Sequence, residues 1–151
     1  FLEREAKNRG VKLEAELPPN LPEIVSDRGQ LQQVFLNIVG NALDALAGGE
    51  GSTQTPQGEE RFVKIRCQSQ NGQMLVSVQD NGKGMSPEVL RHIFEPFYST
   101  KKDKGTGLGM FITYGIVRKL GGEIHVQSEE GRGSTISITL PLTPPDVAVE
   151  V

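Results

Sequence analysis

Tryptophan is absent from this chain, cysteine occurs once and histidine twice. A single Cys67 excludes an intrachain disulfide, and its place in an alternating, strand-like run points to a buried, inert thiol rather than a nucleophile or metal ligand. His92 and His125 are read as lacking a Cys, His or acid at ligand spacing, so both are expected to be structural. No apolar run approaches the eighteen or so residues of a membrane span, and no signal peptide is visible. Positive charge is not in excess either. Sixteen basic against nineteen acidic residues give a formal net charge of −3, which argues against nucleic acid as the main partner while leaving room for a local basic patch. The 151 residues suffice for one domain with a real core. Because the chain begins at Phe1 and not at Met, it is read as a piece of a longer protein whose other parts are compatible with a membrane location.

What is present is organised around Gln30 to Leu46. Leu31, Val34, Phe35, Ile38, Val39, Ala42, Leu43 and Leu46 recur at the spacing of an amphipathic helix, so one broad stripe faces a core. Gln33, Asn37, Asn41 and Asp44 remain on the other side, and at about 100° per residue they fall within a sector of roughly 80°. A merely solvated face is usually written in Lys and Glu, which form helices better than Asn. Carboxamides here suit a ligand that wants neutral oxygen donors, such as a divalent cation on a polyphosphate. Asp27, three residues before Gln30, has the form of a capping box and starts the helix.

Around this helix the chain reads as follows. Phe1 to Arg9 forms the last turns of a charged helix stopped by Gly10, and Val11 to Leu17 alternates as a half-buried strand. Ile24 and Val25 are expected to make a short second strand. Gly48 to Glu60 is expected to be a flexible surface loop. Phe62 to Gln68 and Met74 to Gln79 alternate on either side of Asn71-Gly72, the strongest hairpin signal in the chain. The second of these strands ends at Asp80, in DNGKGM. A carboxylate at the end of a central strand is costly unless it accepts hydrogen bonds, and an adenine amine is a donor of the right kind.

Ser86-Pro87-Glu88 carries a cap, a first-position proline and an acid, and opens a short helix over Pro87 to Ile93. Phe94, Phe97 and Tyr98 then put three aromatics into five positions, by default a hydrophobic plug. Ser99 to Gly107, STKKDKGTG, is expected to be mobile; its lysines are by default solvated, but the loop runs into a helix N-terminus, where amides and dipole favour phosphate. That helix, Leu108 to Leu120, is apolar nearly all round and is expected to be buried, with Gly121-Gly122 as its cap. Glu123 to Ser128 and Thr135 to Leu140 are two further strands, and the residues from 143 to 151 are expected to be a disordered tail. The whole predicts an α/β (α+β) two-layer sandwich, a mixed, mainly antiparallel sheet of about five strands with three helices on one face.

Four segments in this order, LNIVGNALDAL (36–46), DNGKGM (80–85), IFEPFYSTK (93–101) and GTGLGM (105–110), resemble the N, G1, F and G2 boxes of the catalytic, ATP-binding domain of two-component sensor histidine kinases. These belong to the wider Bergerat-fold group with DNA gyrase and MutL. GRGSTISITLPL (131–142) resembles the family's last hairpin, and the match looks nearest to the nitrogen-regulation type. Any one box is a modest signal; all in register over most of the chain are a strong one.

The resemblance implies ATP and Mg²⁺ as ligands. By it, Asn41 holds Mg²⁺, Asn37 meets phosphate or metal-bound water, and Asp80 takes the adenine amine. Gly82 and Gly84 let the base approach the backbone, and Met85 covers it. Phe94 and Phe97 anchor a lid, and Tyr98 lies near the nucleotide. Lys101, Lys104, Gly105, Thr106, Gly107, Leu108 and Gly109 surround the phosphates, and Thr135 or Ser134 adds a contact at the adenine end. Two departures stand out. Asp44 replaces a Lys that many sensor kinases carry, and no acceptor histidine with its following acid is present. Residues 1–10 would then end a linker helix from a separate dimerisation and phosphoacceptor domain, and 11–142 would be the catalytic domain. The implied partners are that domain and a response regulator, in a homodimer with this domain in the cytoplasm and the full protein compatible with the inner membrane. The alternative is a gyrase- or MutL-like ATPase. In those, a glutamate four residues before the metal-binding Asn activates water; here that position is Asn37, no general base at neutral pH, which favours the kinase. A nucleotide-binding scaffold without transfer activity is disfavoured, because the boxes keep every glycine and both key polar positions.

Overall fold

The computed structural model describes residues 2–46, 54–98 and 108–143. Nine elements follow in order: α1 (Leu2–Asn8), β1 (Lys12–Glu16), α2 (Arg28–Ala45), β2 (Phe62–Gln70), β3 (Gln73–Asp80), α3 (Pro87–His92), α4 (Gly109–Lys119), β4 (Glu123–Glu129) and β5 (Gly133–Pro141). The strands form one sheet in the order β1-β2-β3-β5-β4. β1 runs parallel to β2, as its connection through α2 allows, and the other three pairings are antiparallel. The β2–β3 connection is Asn71-Gly72 with φ 53° and 76°, the two positive values that a type I′ turn needs.

Period-two alternation sorts the sheet into two faces. Val63, Met74, Val76, Val78, Ile124, Ile136, Ile138 and Leu140 are buried, while Gln127, Gln79, Thr135, Ser137 and Lys64 occupy intervening positions on the open side. Against the apolar side pack Val34, Ile38, Val39, Ala42 and Leu43 of α2, with Met110 and Val117 of α4. Ile38 and Val34 are fully buried, each contributing roughly 1.5–3 kcal/mol of transfer free energy. α2 starts where expected: the Asp27 carboxylate accepts from the Gln30 amide at 3.0 Å. α4 closes with Gly121 N–H on the Arg118 carbonyl and Gly122 N–H on that of Val117, a Schellman motif.

Four expectations are corrected. Ile24 and Val25 form no strand; Val25 N–H meets the Leu142 carbonyl at 2.9 Å, a lone bond with no ladder around it. α4 is not buried all round: only Met110, Thr113 and Val117 are covered, and Phe111, Ile112 and Tyr114 are exposed. Residues 54–60, expected within a flexible surface loop, are exposed apart from the buried Thr55 but fold back in a Gln54–Glu60 bridge, with Arg61 Nε donating to the Gln54 carbonyl at 3.1 Å. The histidines do meet acids: His92 Nδ1 contacts Glu95 Oε2, and His125 Nε2 lies 3.6 Å from Glu123. The predicted loop residues 48–53 and tail residues 144–151 lie outside the described residues.

Candidate functional site

β3 is flanked on both sides, so its last residue is delivered into the interior: Asp80 pairs with Val63 on β2 and Ser134 on β5, and is 6% exposed. Gly82 N–H donates to its Oδ1 at 2.8 Å, and the Ser134 backbone adds a second bond. Burial raises its pKa to about 6, against the partial offset of those two amides. Asp80 pairs with no cation among the described residues. A buried carboxylate held by amides alone remains a strong hydrogen-bond acceptor.

The glycines after Asp80 serve the protein's own packing. A Cβ on Gly82 would stand 2.5 Å from the Ala45 carbonyl oxygen at the end of α2, and Lys83 N–H donates to that same oxygen at 3.0 Å. Gly84 has φ 68°, and a Cβ there would meet the Glu129 carbonyl at 2.1 Å. The glycines thus let the turn seat between α2 and the β4–β5 hairpin. The half-buried Met85 donates its N–H to Ser128 Oγ at 2.8 Å. Ser128 Oγ also reaches the Gly133 carbonyl at 3.0 Å and Ser134 Oγ at 2.7 Å. Of the two residues named from the sequence, Thr135 sits on the opposite face of the sheet from Asp80, and register places Ser134 beside Asp80. Ser128 went unnoticed because its signal, one polar residue on the buried side of an alternating strand, is visible only once the faces are assigned.

On α2, Asn37 Nδ2 donates to the Gly109 carbonyl at 3.2 Å and to Thr113 Oγ1 at 3.1 Å, while its Oδ1 accepts from Gln33 Nε2 at 3.1 Å. Asn37 is therefore a tie between α2 and α4 and satisfies the fully buried Thr113, a residue the sequence did not flag. Asn41 lies one turn on, half-buried on the same helix. Asp44 accepts from Arg9 Nη1 at 2.8 Å, linking α1 to α2, and this hydrogen bond keeps the Arg9 guanidinium more basic than usual.

α3 is capped by Ser86, whose Oγ accepts from Val89 N–H at 3.2 Å. Beyond it, Phe94 packs on Tyr114 of α4 at 5.0 Å between ring centroids, Phe97 is 75% exposed with φ 66°, and Tyr98 stacks on His92 at 5.1 Å. Leu108 and Gly109 open α4, and the Gly109 carbonyl is held by Asn37. Lys101, Lys104, Gly105, Thr106 and Gly107 lie outside the described residues. A cavity of about 420 Å³ lies behind the glycine turn, lined by Thr55, Gln57, Arg61, Leu46, Lys83 and Glu130 among others; Asp80, Asn37 and Asn41 do not line it.

No cluster of three His, Cys, Asp or Glu suited to a metal occurs among the described residues. The donor set on α2 is instead amide oxygen, which fits a hard cation that takes most of its ligands from phosphate and water.

The family model for histidine kinase-, DNA gyrase B-, and HSP90-like ATPases matches residues 26–144. Among curated proteins, the chain is 38% identical over 142 residues to sporulation kinase E of Bacillus subtilis (strain 168), covering 94% of this chain and 18% of that protein. It is 34% identical over 142 residues to sensor histidine kinase ZraS of Escherichia coli (strain K12), covering 94% of this chain and 28% of that one. Among solved structures, the nucleotide-free catalytic domain of histidine kinase ThkA superposes with a TM-score of 0.75 at 29% identity, covering 95% of this chain and 86% of that one. Full-length ShkA in complex with AMPPNP gives a TM-score of 0.74 at 29% identity, over 93% of this chain and 27% of that one. The chain thus spans under a third of the length of these curated relatives.

Proposed function

Since the chain belongs to the histidine kinase-, DNA gyrase B-, and HSP90-like ATPase family, we propose that it binds Mg-ATP and donates the γ-phosphoryl group to a histidine on a separate domain. The observation that carries this reading is Asp80: a buried carboxylate, held only by backbone amides, at the mouth of a glycine turn that abuts the helix bearing Asn37 and Asn41. Asp80 takes the adenine amine, and Ser134 lies beside it. Asn41 would hold Mg²⁺, which supplies charge neutralisation at the phosphates. Phosphoryl transfer asks mainly for positioning and electrostatic stabilisation, and a rigid α2–α4 joint provides the first. Lys101 and Lys104, with the Gly105–Gly109 amides, supply positive charge to the phosphates.

Asn37 favours transfer over hydrolysis. Its amide protons are engaged by Gly109 and Thr113, and an amide does not take a proton from water. Residues 1–10 carry the end of a helix from a dimerisation and phosphoacceptor domain, and a response regulator receives the phosphoryl group from there. Within the sensor kinases, the NALDA run on α2 supports the nitrogen-regulation type. No helix among the described residues is long and apolar enough to cross a membrane. We place this domain in the cytoplasm on a separate ground, the ATP and response regulator that the proposed reaction uses.

Incubation with γ-labelled ATP tests the division of labour. Label is expected on an added histidine-bearing domain, with slow hydrolysis and no label on this chain alone. Acid-labile phosphate on the isolated chain would refute it, and rapid hydrolysis would favour the gyrase-like alternative.

A further inference from the structure

Three hydrogen bonds converge on the Ser128 hydroxyl, from β4, a strand outside the ATP-binding boxes. A hydroxyl carries one proton and two acceptor lone pairs. Met85 N–H can only donate to Ser128 Oγ at 2.8 Å, and the Gly133 carbonyl at 3.0 Å can only accept from it. Ser128 therefore uses its single proton on Gly133, and the 2.7 Å bond to Ser134 Oγ is donated by Ser134. That leaves Ser134, 9% exposed and paired across the ladder with Asp80, with its proton engaged and its lone pairs turned to acceptance.

We propose that Ser128 is a positioning residue for purine recognition: it holds Met85 in place and orients the Ser134 hydroxyl as an acceptor, so that the paired ends of β3 and β5 present Asp80 and Ser134 as two neighbouring acceptors. Such a pair can take both protons of a 6-amino group, whereas a 6-oxo purine offers only its N1–H and turns its O6 toward an acceptor. The inference rests on the reading above, in which Asp80 receives the base. The turn itself keeps other anchors, since Gly131 N–H donates to the Lys83 carbonyl at 2.7 Å and Lys83 N–H to Ala45. Loss of the Ser128 hydroxyl should therefore leave the fold standing.

The test is titration calorimetry with ATP and with inosine triphosphate, which carries O6 and N1–H where ATP carries a 6-amino group and a bare N1, on wild type, Ser128→Ala, Ser128→Thr and Asp80→Asn, with melting temperatures for each. In Ser128→Ala, ATP affinity should fall roughly three- to tenfold, as for one lost hydrogen bond, with inosine triphosphate falling less, so that the preference contracts. Ser128→Thr, which keeps the hydroxyl, should restore the preference. An unchanged ratio in Ser128→Ala, or equal loss for both nucleotides with a lower melting temperature, overturns the proposal and leaves Ser128 a structural residue. Asp80→Asn separates the two levels. If it removes the preference while Ser128→Ala does not, only the role of Ser128 falls; if it leaves ATP affinity intact, the base reading falls and this inference with it.

Discussion

Asp80→Asn is expected to stabilise the nucleotide-free protein at neutral pH while depriving it of ATP. In the folded state burial raises the Asp80 pKa from 3.8 to about 6. A carboxyl whose folded pKa lies above its unfolded value costs stability where it is ionised. The penalty is complete above about pH 6 and fades as pH falls toward 3.8. Linkage puts it at about 3 kcal/mol at pH 7.5 and about 1 kcal/mol at pH 4.5. Asparagine carries no such penalty, but its amide can accept only one of the Gly82 and Ser134 N–H groups well, a loss of about 1 kcal/mol. The net gain is about 2 kcal/mol at pH 7.5 and near zero at pH 4.5. For a chain of this size that is roughly 4–8 °C in melting temperature at the higher pH. Thermal melts by circular dichroism at both pH values, paired with ATP calorimetry at pH 7.5, measure it. A mutant that melts below wild type at pH 7.5, or gains equally at both pH values, would refute the buried-acceptor argument.

If Asp80 receives the base as proposed, adenosine affinity is expected to fall toward tenfold per pH unit below about pH 6, because the base amine would need the ionised carboxylate; a flat profile from pH 7 to 5 would contradict this. Asn37→Asp removes both donors to Gly109 and Thr113 and sets a carboxylate against a carbonyl, so a loss of about 2–3 kcal/mol by urea unfolding is expected, and a neutral result would deny the α2–α4 tie. Gly82→Ala drives a methyl into the Ala45 carbonyl and should cost about 1–3 kcal/mol together with ATP affinity, since the turn must shift. Arg9→Ala should cost under about 1 kcal/mol, because both partners of the Arg9–Asp44 pair are more than a third exposed; a larger loss on denaturation would show α1 to be more deeply coupled.

What depends on near neighbours was legible in the chain. The apolar stripe of α2 and its Asp27 cap, the Asn71-Gly72 turn, and the Ser86-Pro87 start of α3 each follow from contacts spanning a few residues. The polar face of α2 and the place of Asp80 at the end of a central strand were equally readable. What depends on pairing between distant segments was not. Ile24 and Val25 have strand-forming side chains but no ladder partner, and α4 has apolar side chains nearly all round, yet Phe111, Ile112 and Tyr114 are left exposed. Asp44 meets Arg9 across thirty-five positions, a contact that no spacing rule exposes. Thr135 and Ser134 are one residue apart and look alike in the sequence; the Asp80–Ser134 register alone turns one to the face of Asp80 and the other away. Local periodicity therefore determined which elements form and which residue types they carry, whereas register and layer packing decided which of those side chains meet, because a one-residue shift in a strand reverses its faces.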